Sequence, residues 1–173
     1  NETVGIGYNA VQSNTSGAGN VGIGCKALAA NTTANDNTAV GYYCLDANTT
    51  GYSNTGLGSG ALGACTTGFK NTAIGRLAGN VITTGDKNVI IGHDSDADTA
   101  TRERAVVIGE GGSTVAADNT FRAIGDSGVY NSANNASWST TSDERIKKNI
   151  VDHTKGLNVI NQIKVRNFEY RTA

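Results

Sequence analysis

The chain has no proline, no methionine, one tryptophan and three cysteines, and aromatic residues make up only 6% of its 173 positions. Each shortage excludes something. Cys25, Cys44 and Cys65 show no CxxC spacing, and their odd number argues against a closed disulfide framework. They read as small buried hydrophobes rather than zinc ligands, so no metal site is expected. Fourteen basic residues face 15 acidic ones, a formal net charge of −1, which leaves no electrostatic footprint for nucleic acid. No apolar run approaches membrane-span length and no signal peptide is visible, so membrane insertion is not expected. The missing initiator methionine points to a fragment or a processed chain. Nothing in the sequence indicates a cofactor.

What the chain has in abundance is glycine, 23 residues, much of it in strict order. Gly7, Gly24, Gly41, Gly58, Gly75, Gly92 and Gly109 recur at a step of 17 residues. Ile6, Ile23, Val40, Leu57, Ile74, Ile91 and Ile108 immediately precede them. Asparagine stands four before the glycine at Asn20, Asn37, Asn54, Asn71 and Asn88. A small residue follows three after it (Ala10, Ala27, Cys44, Ala61, Ala78), and an aliphatic one four after it (Val11, Leu28, Leu45, Leu62). Turn signals such as Asn48-Thr49-Thr50-Gly51 close each unit, where glycine is expected to supply positive φ and the polar side chains to bond nearby backbone. A fixed period of this size is the mark of stacked supersecondary units. Each unit is expected to be a short strand, a bend, a second extended stretch and a turn. Coils stacked at roughly 4.8 Å form a parallel β-solenoid, about 34 Å long for seven coils.

Such a coil is thin. Ordering its residues costs on the order of 25 kcal/mol at about 1.5 per residue. Only about four small or medium apolar side chains point inward, each contributing at most about 1.5–3 kcal/mol. Association of several chains supplies the missing buried surface, so an obligate oligomer is expected.

The repeat decays after Gly92. Asp94, Asp96 and Asp98 form D-x-D-x-D, but the positions where an EF-hand loop needs Gly and Glu hold Thr99 and Ala105. A solvated loop that interrupts the inner aliphatic ladder is expected instead. Val106-Val107-Ile108-Gly109 is a last strand in register. Phe121-Arg122-Ala123-Ile124-Gly125 comes one residue early, as a degenerate coil or a strand of another kind. Residues 113–141 look like a neck, polar and low in complexity from Asn131 to Ser137, with Trp138 as an aromatic plug between chains. Asn1, Asn14, Asn31, Asn48 and Asn135 match the glycosylation pattern, but turn chemistry accounts for those in the repeat without any sugar.

From Ser142 charge density rises and glycine nearly disappears. Leu157, Ile160 and Ile163 lie on one face of a short expected helix. Val165 to Arg171 then reads as a strand, with Phe168 and Tyr170 on one side. The Trp138-Ser139-Thr140-Thr141 approach, the Ser142-Asp143-Glu144-Arg145-Ile146-Lys147 box, this helix and the Asn167-Phe168-Glu169-Tyr170 strand carry a resemblance. They resemble the start of the intramolecular chaperone domain at the end of phage tail fibres and tailspikes, also classed as the S74 self-cleaving peptidases. The resemblance implies a domain that trimerises, guides folding of the fibre ahead of it and is often cut off by itself. It implies Ser142 as nucleophile, Lys147 as its base and cleavage between Thr141 and Ser142. Lysine serves as such a base only where burial lowers its pKa. The box serine and lysine taken alone also fit a capping serine and a solvated lysine. Family domains extend well beyond the equivalent of Ala173, which implies an uncut, truncated or inactive version.

The repeat itself resembles the Asn-Thr-Ala-Val-Gly units that precede such domains in phage fibres. It is similar too to the coils in the heads of YadA-like trimeric autotransporter adhesins. Both imply a homotrimer, and the adhesin implies a left-handed parallel β-roll.

The expectation is therefore an all-β homotrimeric parallel β-solenoid of 17-residue coils over residues 1–112. A β neck over 113–141 and the start of a small α+β chaperone domain over 142–173 follow it. The leading functional expectation is a structural and attachment protein of a viral tail fibre or appendage, located on the virion. Its partners would be a host cell-surface glycan or protein and other tail or virion proteins. The alternatives are the head of a bacterial surface adhesin and a serine peptidase acting once on its own chain. A glycan-degrading enzyme needs paired carboxylates, and no convincing pair is present.

Overall fold

The computed structural model describes residues 2–111, 117–123, 129–131 and 139–140. The chain divides into two compact units, Asn1–Thr141 and Ser142–Ala173, and the second lies outside the described residues. With it lie the expected helix and the strand through Phe168 and Tyr170. Among the described residues the structure is all-β, without a helix.

Eight three-residue strands form one parallel sheet in chain order: β1 (Val4–Ile6), β2 (Val21–Ile23), β3 (Thr38–Val40), β4 (Thr55–Leu57), β5 (Thr72–Ile74), β6 (Val89–Ile91), β7 (Val106–Ile108) and β8 (Phe121–Ala123). Register is kept from β1 to β7, with Gly22 over Ala39, Ala39 over Gly56 and Gly56 over Ala73. This is the expected β-solenoid. Beyond β7 the expectation needs correction. Phe121 pairs with Val106 and Ala123 with Ile108, so the last parallel strand arrives two residues early, not one. β9 (Val129–Asn131) and β10 (Ser139–Thr140) then continue the sheet antiparallel.

The second half of each coil is also not extended as expected. In the second coil Ala27 N–H donates to Gly24 O, Ala29 to Lys26 and Asn31 to Leu28, a run of overlapping tight turns. Left-handed backbone makes that run possible. Lys26 (φ 57°) and Leu28 (φ 53°) adopt it, as do Tyr43 and Leu45 one coil on. Such a conformation costs a non-glycine residue roughly 1–2 kcal/mol. Two gains offset it: the Leu28 side chain is fully buried, and its N–H donates to Cys44 O of the next coil at 3.1 Å.

The glycines divide into two kinds. Gly41 has φ 145°, and a Cβ there would lie 2.6 Å from the carbonyl carbon of Gly58, which is stacked against it. Gly51, in the closing turn, does not have the positive φ expected of it. It is small because a Cβ would strike the Gly68 carbonyl and the Asn48 and Asn54 side chains. The requirement there is close approach between coils.

The core runs along the axis through Leu28, Leu45 and Leu62, flanked by Ala27, Ala39, Cys44, Ala61 and Ala73. The aliphatic ladder then fails, because Gly79 and Asp96 occupy its next two places. Volume returns from the strands. Ile90 and Val107 take the inward position that Gly56 and Ala73 hold lower down, and Ile82 joins them.

Two asparagine ladders stitch the coils together. Asn20, Asn37, Asn54, Asn71 and Asn88 are all essentially inaccessible to solvent. Each Oδ1 accepts the backbone N–H of the next rung, as in Asn54 N to Asn37 Oδ1 and Asn71 N to Asn54 Oδ1, both 2.9 Å. Each Nδ2 donates to a turn carbonyl of the next coil, as in Asn54 to Gly68 O at 2.8 Å. The second ladder joins Asn31 to Asn14 and Asn48 to Asn31, both at 3.1 Å. Cys65 holds its next rung, so the Asn48 Oδ1 is left buried without a partner.

Candidate association face and surface clusters

Strand alternation sorts each three-residue strand into one inward and two outward side chains. The middle residue is buried in β2 to β7, and its neighbours are not. The aliphatic residue before each stacked glycine therefore points away from the coil's own core. Ile6, Leu57, Ile74 and Ile108 are 58%, 47%, 37% and 40% exposed, and Ile23, Val40 and Ile91 are half-buried. These seven side chains form one unbroken aliphatic column along the sheet. The position two residues earlier adds Val4, Val21, Val89 and Val106 to the same face. The regularity of that column was visible in the sequence. Its outward direction was not, because a three-residue strand is too short for its period to reveal which parity faces the core.

Two aromatic clusters lie outside the strands. Tyr8 and Tyr42 are 72% and 57% exposed, Tyr42 packs on Tyr43 at 4.3 Å, and the Lys26 ammonium lies over the Tyr43 ring at 4.9 Å. Tyr52 and Phe69 stack face to face at 4.9 Å, with Lys87 over Phe69 at 5.2 Å. Stacking brings together Lys26 with Tyr43 and Tyr52 with Phe69, each pair one 17-residue step apart, whereas Tyr42 and Tyr43 are neighbours within one coil.

The acidic triplet is more embedded than expected. Asp94 pairs with Arg76 at 3.1 Å, and Asp98 pairs with Arg102. Asp96 takes the inner-ladder place and accepts N–H bonds from Val81 (2.8 Å) and Ala97 (2.9 Å). Burial pushes its carboxyl up to about 6 despite those donors. It does interrupt the aliphatic ladder, but as a satisfied, partly buried rung rather than a solvated loop. Among the described residues no group of three or more His, Cys, Asp or Glu is placed to hold a metal.

All three cysteines are free. Cys44 and Cys65 are buried, with thiols pushed up to about 12 mainly by desolvation, whereas Cys25 is only half-buried. Asn31 and Asn48 are fully buried rungs, and Asn14 bonds Gly17 O, so the repeated turn uses these amides internally. Thr141, Ser142, Lys147 and Trp138 lie outside the described residues. No family model, curated protein or solved structure matches the chain.

Proposed function

We propose that this chain is a homotrimeric structural and attachment segment, the distal part of a viral tail fibre or virion appendage that contacts a host cell-surface glycan or protein. The observation that carries the reading is the outward aliphatic column on a rigid solenoid. An apolar stripe that runs the length of a rod favours side-by-side association, and contiguous exposed patches of this sort mark interaction surfaces. A coil whose core holds one leucine and a few alanines gains much from that added burial. Copies aligned along a common axis match coil for coil, because every coil has the same rise. Three copies about a threefold axis, each a left-handed roll, is the arrangement implied by the resemblance of the repeat to phage fibres and adhesin heads. The aromatic clusters, outside the strands and partly exposed, are candidates for contact with a receptor.

The test is mass measurement by light scattering at micromolar concentration. Three chains are expected, and a stable monomer refutes the proposal. Leu57→Asp in the middle of the column should dissociate the trimer, while Thr67→Asp, on an exposed turn, should not.

The Ser142 to Lys147 box favours a second, additional activity: one self-cleavage between Thr141 and Ser142, with Lys147 taking the serine proton. Intact mass spectrometry of the parent chain and Ser142→Ala decides it, since equal uncleaved masses dispose of the activity. The same solenoid in the head of a bacterial surface adhesin is separated from the fibre reading by the flanking gene. A membrane-anchor barrel and coiled-coil stalk there favour the adhesin, and a baseplate-binding segment favours the fibre.

A further inference from the structure

The outward face carries a second column two residues before the aliphatic one, and this column is not uniform. It runs Val4, Val21, Thr38, Thr55, Thr72, Val89 and Val106. Three threonines on successive coils thus break an otherwise apolar face, stacked directly with Thr38 over Thr55 and Thr55 over Thr72. Their backbone N–H groups are used, bonding Asn54, Asn71 and Asn88 carbonyls at 2.8 Å. Their hydroxyls are not bonded to any described residue. The contrast is with Thr15, Thr32, Thr49 and Thr66, each of which donates its hydroxyl to the carbonyl one coil on.

We propose that Thr38, Thr55 and Thr72 form a belt that sets the axial register between copies of this chain. The inference rests on the trimeric reading above. The aliphatic column cannot set register by itself, because it presents Ile, Val or Leu at every coil and a slip of one coil replaces like with like. The threonine belt can. With three copies level about a threefold axis, the three Thr55 hydroxyls meet at one height. Each donates to the next copy's oxygen and accepts from the previous one, so the ring closes with every donor used. Thr38 and Thr72 repeat this on the adjacent coils. A slip of one coil sets a threonine at each end of the belt against valine, leaving desolvated hydroxyls without partners. A lone polar residue in an apolar seam specifies register in coiled coils by the same logic.

The test uses full-length chains in a Cys25→Ser background, which removes the half-buried thiol. Leu57→Cys and Ile74→Cys chains are mixed in equal amounts, refolded together and oxidised, and like and mixed disulfide pairs are counted by mass spectrometry. With the belt intact, like pairs should exceed mixed pairs roughly tenfold, a factor corresponding to about 1.4 kcal/mol of register preference. In the Thr38→Val, Thr55→Val, Thr72→Val triple variant the two classes should become nearly equal while light scattering still reports three chains. The corresponding serine variant, which keeps the hydroxyls, should retain the parental ratio. A trimeric valine variant with the parental ratio overturns the belt, as does a parent that gives equal classes. If the triple variant does not fold, Thr55→Val alone must lower the ratio for the inference to stand. A parent that runs as a single chain instead refutes the trimeric reading itself, and the belt with it.

Discussion

Asn54 sits at the middle of the inner asparagine ladder, and its replacement by alanine isolates what the ladder contributes. The Asn54 Nδ2 donates to Gly68 O at 2.8 Å, and its Oδ1 accepts from Asn71 N at 2.9 Å and from Asn71 Nδ2 at 3.2 Å. The Asn71 Nδ2 retains Gly85 O at 2.8 Å, and the residue-54 backbone N–H retains Asn37 Oδ1. Alanine therefore orphans the Asn71 N–H in a site closed to water, and leaves the Gly68 carbonyl only the weak Cys65 thiol donor at 3.6 Å. At about 1–3 kcal/mol for an unsatisfied buried group, with part of a second such penalty at the weakened carbonyl, the expected loss is about 2–4 kcal/mol. A native domain has only about 5–15 kcal/mol in total, so the effect should be large. Urea denaturation followed by circular dichroism at one fixed protein concentration measures it, because association makes apparent stability concentration-dependent. Thr67→Ala, on an exposed turn, is the control and should change stability by less than about 0.5 kcal/mol. Asn54→Asp adds a second readout. Its carboxylate still accepts from Asn71 but sets a negative oxygen against the Gly68 carbonyl, and its protonated form can donate there. The folded pKa should therefore be raised, with stability recovered at low pH and lost as pH rises through that value. An Asn54→Ala variant within about 1 kcal/mol of the parent would refute the view that these amides carry the stacking.

Three further outcomes follow from the geometry. Gly41→Val should abolish cooperative folding or, at about 2–3 kcal/mol of strain, lower the melting temperature by roughly 4–12 °C, since φ is 145° and its Cβ would collide with the Gly58 carbonyl group; an unchanged melting curve contradicts the stacking register. Asp96, with its folded carboxyl at about 6 and the ordinary unfolded value near 4, should cost stability as pH rises between those values. Discounted for partial solvent screening, the loss is about 1 kcal/mol, and its pH dependence should vanish in Asp96→Asn when melting is compared at pH 4 and pH 7. In native protein at pH 8, a maleimide should label Cys25 and spare Cys44 and Cys65, whose thiols lie near 12 and are buried; fast labelling of all three would show that the coils open readily.

The 17-residue step was enough to establish equal coils, parallel stacking and the asparagine rungs, because a ladder requires the same residue at the same place in every turn. Period alone also located the outward aliphatic column and the decay after Gly92. Other features were decided in three dimensions. Which strand parity faces out depends on how the coil closes on itself, and three residues per strand leave no longer pattern to read. That leucine rather than glycine occupies left-handed backbone at Leu28, Leu45 and Leu62 depends on burial and a hydrogen bond to a neighbouring coil outweighing the local preference. That Gly51 answers to close approach and not to φ, and that Ile90 and Val107 refill the core where Gly79 and Asp96 empty it, are likewise contacts between residues distant in the chain. Local rules govern what one residue does alone; the stack decides what its neighbours above and below allow it to be.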